Sequence, residues 1–94
     1  MGETTVTLID SRYSKITVKL FAILKDVVAK KEIILLVPHG GTVGFLKNQI
    51  IQEYPSLNSF SNKFIVSVNH KVATDGTVLH ANDEIALLPP VSGG

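Results

Sequence analysis

A single stretch of this chain has the apolar stripe of a long helix, and that limits what the rest can be. Val43, Leu46, Ile50 and Tyr54 recur at spacings of 3, 4 and 4, which lines them along one helical face. Thr42 precedes them as an N-cap, Pro55 stops the helix, and Lys47, Gln49, Gln52 and Glu53 supply its wet side. The other apolar runs read as strands. "KITVKLFA" alternates, with Ile16, Val18 and Leu20 on one face and Thr17, Lys19 and Phe21 on the other. "EIILLVP" is a second strand, stopped by Pro38, which cannot donate to a sheet ladder. "KFIVSVN", a short "KVAT" and "EIALL" follow, separated by turns at Asp75-Gly76 and "HAND". "ILKDVVAKK", between the first two strands, reads as a short helical turn. One long helix can cover only one face of a mixed sheet, which predicts an α+β roll of the β-grasp type.

A chain of 94 residues holds one hydrophobic core. With 45% hydrophobic and 18% charged residues, that core needs neither disulfides nor metal. A net charge of +1, with basic residues scattered, gives no general pull toward nucleic acid or anionic membrane. The absence of cysteine excludes thiol nucleophiles and cysteine zinc sites. No apolar run approaches the roughly 20 residues of a membrane span, and no signal-peptide pattern opens the chain. Met1-Gly2 resembles a myristoylation start, but Val6 stands where that motif needs Ser or Thr. A soluble cytoplasmic protein is the expectation.

Few side chains offer chemistry. His39, His70 and His80 share no ligand spacing and sit beside turns, as surface histidines do. "HGGTVG" places glycines before a helix N-terminus, where an anion can bind. It lacks the Lys-Ser/Thr ending of a nucleotide loop, and a strand-to-helix turn accounts for Gly40 and Gly41. Tyr13, Phe21, Phe45, Tyr54, Phe60 and Phe64 are not interleaved with basic residues as in an RNA platform. Most are expected in the core. Phe21, on the face opposite Ile16, Val18 and Leu20, is expected to be half-exposed and available to a partner.

The most specific feature is the ending, "LLPPVSGG". Pro89 and Pro90 remove two backbone donors, end the last strand and hold its exit extended. Val91 and Ser92 offer one small apolar contact and one hydrogen bond. Gly93 and Gly94 have no Cβ, so a terminal carboxylate can pass through a slot as narrow as a backbone. Six extended residues reach about 20 Å, enough to place that carboxylate inside another protein.

"IALLPPVSGG" resembles the end of the small, sulfur-carrying subunit of molybdopterin synthase, a ubiquitin-like family. Its members close on an apolar pair, Pro-Pro, an aliphatic residue, Ser or Thr, and Gly-Gly. "ITVKLFAILKDVV" is similar to the family's opening strand and short helix, "VSVNHKVAT" to its central hairpin, and "NDEIALL" to its turn into the last strand. Asn82 replaces the usual glycine of that turn, Lys25-Asp26-Val27 stand where Arg-Glu-Leu is common, and residues 1–14 lack a counterpart. The resemblance implies a co-substrate carrier that binds no cofactor. A carboxylate with a pKa of about 3.5 is ionised and a poor electrophile at neutral pH. An ATP-dependent activating enzyme would adenylate Gly94, and a sulfur donor would convert it to a thiocarboxylate. The tail would then enter the large subunit, in a heterotetramer, and give its sulfur to a pterin precursor of molybdopterin.

These readings divide the chain into a flexible extension (1–14), a β-grasp domain (15–88) and a functional tail (89–94). Gly94 carries the reacting group, Pro89, Pro90, Val91, Ser92 and Gly93 thread it into a partner, and Phe21, Leu87 and Leu88 form the partner interface. Three other readings stay open. The same terminus suits a ubiquitin-like protein modifier or a thiazole-pathway sulfur carrier, and an interaction domain with an inert end has the same fold.

Overall fold

The computed structural model describes residues 12–60 and 63–90. Residues 1–11 of the expected extension and Val91, Ser92, Gly93 and Gly94 of the expected tail lie outside the described residues. Five strands form one mixed sheet: β1 (Tyr13–Leu20), β2 (Glu32–Pro38), β3 (Ile65–Val68), β4 (Lys71–Val72) and β5 (Ile85–Leu88). Their spatial order is β2-β1-β5-β3-β4. β1 begins two residues before the expected Lys15, because Tyr13 and Ser14 pair with Pro38 and Val37 of β2. β5 lies between β1 and β3. It runs parallel to β1, with Val18 opposite Ile85 and Leu20 opposite Leu87, and antiparallel to β3, with Val66 opposite Leu87.

Alternation along the strands decides what the sheet buries. Ile16, Val18, Leu20, Ile33, Leu35, Val37, Val66, Ile85 and Leu87 are buried on one face. Helix α1 (Ile23–Val28) adds Leu24, and helix α2 (Val43–Glu53) adds Val43, Leu46 and Ile50 from the predicted stripe. Tyr54 caps α2 and packs partly against this core. A 3-10 helix, Pro55–Phe60, occupies what reads in sequence as a polar loop, because Leu57 turns inward and is fully buried. Among the described residues no charged or polar side chain is buried, so the core is held by apolar burial alone. None of the described helices is long and apolar enough to cross a membrane.

The aromatic expectation needs correction. Phe64 is buried and Phe60 packs partly against the core, but Tyr13 and Phe45 are exposed along with Phe21. Tyr13 stands on the uncovered face of β1, and Phe45 points off the buried stripe of α2.

The turn before α2 explains its glycines. Gly40 has a φ of 85°, and a Cβ on Gly41 would stand 2.4 Å from Val37 Cγ1. Thr42 then caps the helix, its Oγ1 accepting from the Phe45 N–H at 3.3 Å. The N–H groups of Val43 and Gly44 donate to the Thr77 and Asp75 carbonyls, each at 2.9 Å. These donors are therefore spent on the protein itself, and "HGGTVG" is a structural turn rather than a phosphate cradle.

Leu46→Ala should cost about 2–5 kcal/mol, since the cavity lies between helix and sheet. Thr42→Ala should cost about 1 kcal/mol through the lost cap. Denaturant titration followed by far-UV circular dichroism reads both.

Candidate functional site

The candidate site is the end of β5 and the sheet face that no helix covers. The Phe21 N–H donates to the Leu87 carbonyl at 3.3 Å, which carries the β1–β5 pairing one residue past β1. By strand alternation Leu88 and Phe21 then stand side by side on the open face. Phe21 is 44% exposed, and Leu88 is half-buried opposite Ile65 of β3. Leu87 was expected at the same interface. It is fully buried, pointing into the core between Leu20 and Val66, and no partner can reach its side chain.

Pro89 and Pro90 follow directly, half-buried, and leave the sheet from its middle rather than from an edge. Beside them Ala22 has φ 54° and ψ −132°, a conformation that costs a residue with a Cβ. This sharp turn starts α1 and leaves Phe21 on the open face. An open hollow of about 300 Å³ adjoins it, lined by Lys19, Leu20, Phe21, Ala22, Lys25, Lys31 and Glu32. From Ile65 of β3 and Ala86 of β5 the open face runs across Lys19, Thr17 and Lys15 of β1 to Ile34 and Leu36 of β2, which are 57% and 48% exposed. Sequence reading missed Ile34 and Leu36, because "EIILLVP" shows no alternation to separate a wet face from a dry one.

A polar network fixes the opposite end of β5. Asn69 and His70 join β3 to β4 with φ values of 52° and 71°, the paired positive angles of a type I′ hairpin turn. The Asn69 amide donates to Asp83 Oδ1 at 3.0 Å, while its carbonyl oxygen accepts from the Glu84 N–H at 2.9 Å. Its backbone N–H donates to the Glu84 carbonyl at 2.8 Å. Asn69 thereby holds the residues before β5 in register, joining two segments that the sequence reading noticed separately. His70 Nε2 lies 3.1 Å from Glu84 Oε1, and Lys19 Nζ lies 3.8 Å from Glu84 Oε2. His80 closes the adjacent turn through its N–H to Asp83 Oδ2 at 2.8 Å, and His39 donates its N–H to the Arg12 carbonyl at 3.2 Å. Among the described residues no three His, Asp or Glu gather as metal ligands.

Partial desolvation would raise the Asp83 carboxyl. The hydrogen bonds from Asn69 and the His80 N–H, with the His80 charge, outweigh it and hold the group below its ordinary 3.8. A depressed carboxyl stabilises the fold above the ordinary value, and this contribution is lost as pH falls through the lower folded value. Asp83→Asn should therefore flatten the loss of stability below about pH 4. Asn69→Ala should cost about 1–3 kcal/mol, from the unmade hydrogen bonds and the left-handed turn position. Denaturation at a series of pH values checks both.

Comparisons with known proteins place the chain in a family and its fold among known ones. The ThiS family pattern matches residues 18–94. The molybdopterin synthase sulfur carrier subunit of Arabidopsis thaliana is 28% identical over 85 residues, covering 90% of this chain and 88% of that protein. That alignment is longer than Lys15 to Gly94, so it takes in part of the segment expected to lack a counterpart. SAMP1 of Haloferax volcanii superposes with a TM-score of 0.75 at 32% identity, covering 86% of this chain and 100% of that one. A chain from the complex of subunits 1 and 2 of molybdopterin-converting factor of Helicobacter pylori 26695 gives 0.59 at 25% identity, covering 85% and 99%. The fold is thus the ubiquitin-like β-grasp. With the family pattern running from the middle of β1 through the exit of β5 to residue 94, this chain belongs to the ThiS family.

Proposed function

We propose that this chain is a sulfur carrier for molybdopterin biosynthesis, holding sulfur as a thiocarboxylate on Gly94. One observation carries the reading: the central strand of a ThiS-family sheet runs straight into Pro89-Pro90 and the sequence VSGG. The name of the Arabidopsis relative supports it. The first step belongs to an ATP-dependent partner. A Gly94 carboxylate oxygen attacks the α-phosphorus of ATP, and pyrophosphate leaves. The resulting acyl adenylate is an electrophile, and a hydrosulfide equivalent displaces AMP to leave the thiocarboxylate. In the large subunit the sulfur passes to a pterin precursor, and water restores the carboxylate. The chain contributes reach and shape to these steps. Pro89 and Pro90 aim the tail, Val91 and Ser92 are its contacts, and Gly93 and Gly94 let it thread a narrow slot. The complex of two subunits in Helicobacter pylori supports a large-subunit partner.

A second reading uses the same activated terminus. The likeness to SAMP1, a small archaeal modifier protein, favours it. A lysine amine then takes the place of hydrosulfide, giving an isopeptide bond.

Incubation with activating enzyme, ATP and sulfide should replace one oxygen of Gly94 by sulfur, as read by intact-mass and fragment spectra. Sulfur on any other residue refutes the proposal, and a lysine adduct selects the modifier reading. One residue added after Gly94 should abolish transfer while leaving the melting temperature unchanged.

Phe21→Lys and Leu88→Lys should each weaken binding to the large subunit at least tenfold, about 1.4 kcal/mol, without unfolding the domain. Calorimetry decides. Wild-type affinity in both variants moves the interface off this face.

A further inference from the structure

The two edges of the sheet are protected very differently. β4 is two residues long and carries Lys71, a short and charged edge of the kind that discourages pairing. β2 is seven residues long and, among the described residues, has no strand on its outer side.

The phase of the β1–β2 ladder shows which backbone groups that edge presents. The Leu20 N–H donates to the Lys31 carbonyl at 2.8 Å, and the His39 N–H donates to the Arg12 carbonyl at 3.2 Å. Antiparallel ladders alternate between bonded and non-bonded pairs. Ile33, Leu35 and Val37 therefore turn their N–H and C=O groups toward β1, and Glu32, Ile34 and Leu36 turn theirs away from the sheet. The side chains of Ile34 and Leu36 also stand more exposed than most of the fold's apolar residues. Donors unpaired among the described residues and exposed aliphatic side chains thus coincide on the same two residues.

We infer that β2 is a pairing edge for a second copy of this chain, joined antiparallel about a two-fold axis at Leu35. That axis sets Ile34 opposite Leu36 of the second copy, and Leu36 opposite its Ile34. Both pairs place outward-facing N–H and C=O groups against each other, so each exchanges two hydrogen bonds. Glu32 meets Pro38 of the second copy, which has a carbonyl to accept but no N–H to donate, and two like charges do not face each other. An isologous contact requires this self-complementarity, and moving the axis to Ile34 would set Leu36 against the Glu32 carboxylate. The five strands of each copy would join into one ten-stranded sheet. A single strand pair buries less than a standard interface, so the dimer forms at high protein concentration.

Sedimentation equilibrium up to about 1 mM, the range of weak contacts, should show a mass rising toward twice 10.2 kDa. Ile34→Lys and Leu36→Lys should each return the mass to that of one chain at the same concentration, with an unchanged melting temperature. Amide exchange followed by NMR is the second readout. The Ile34 and Leu36 amides should be protected at high concentration and exchange at least tenfold faster on dilution. A single-chain mass throughout overturns the inference, as does a dimer that both variants leave intact. Concentration-independent protection of these amides also overturns it, because residues of the same chain then cover the edge.

Discussion

The parallel pairing of β1 with β5 holds the structure together. It joins strands from opposite ends of the described chain, Val18 against Ile85 and Leu20 against Leu87. It puts the last strand in the middle of the sheet, so both sides of β5 are bonded and its inward residues are buried. What leaves the sheet after Leu88 therefore starts from a strand bonded on both sides. Pro89 and Pro90 extend that rigidity by removing backbone freedom where the ladder ends. A functional group carried beyond them is delivered from a fixed origin.

The two ends of β5 have different physical characters. At its start, Asn69, Asp83, Glu84 and His80 form a network of directional bonds that permits one register. A one-residue slip would break these bonds and turn Leu87 out of the core. At its exit, by contrast, Phe21, Leu88 and Ile65 offer an apolar surface with little directional bonding. Polar bonds set the position and apolar area is left for contact. The left-handed angles of Ala22, Asn69 and His70 all lie at turns flanking these two ends. Three of the four non-glycine residues with positive φ among the described ones thus mark where β5 begins and where it leaves, and the fourth, Ala29, ends α1.

Local features of the fold were legible in the sequence, and long-range ones were not. The stripe of α2, its Thr42 cap and the stop at Pro38 are written within a few residues of where they act. The end of β5 at Pro89-Pro90 was legible for the same reason. Alternation in "IALL" shows that two pairs of residues face opposite ways, but it cannot say which pair meets the helices. Leu87 was therefore placed at the surface when it belongs to the core. Leu57 is one apolar residue in a polar stretch, and only the body of the fold gives it a cavity to fill. The uninterrupted run of β2 reads like a strand buried on both sides, whereas its neighbours cover only one. Asn69 and Glu84 are too far apart in sequence for their bond to be read from either segment.

The central place of the last strand also bears on quality control during synthesis. A chain interrupted before Ile85 lacks the middle strand of its own sheet, leaving β1 and β3 each with an open edge and the core without Ile85 and Leu87. Such a fragment exposes the kind of apolar surface and open strand edge on which chaperones and proteases act. The domain completes itself only when the strand leading into its tail has been made.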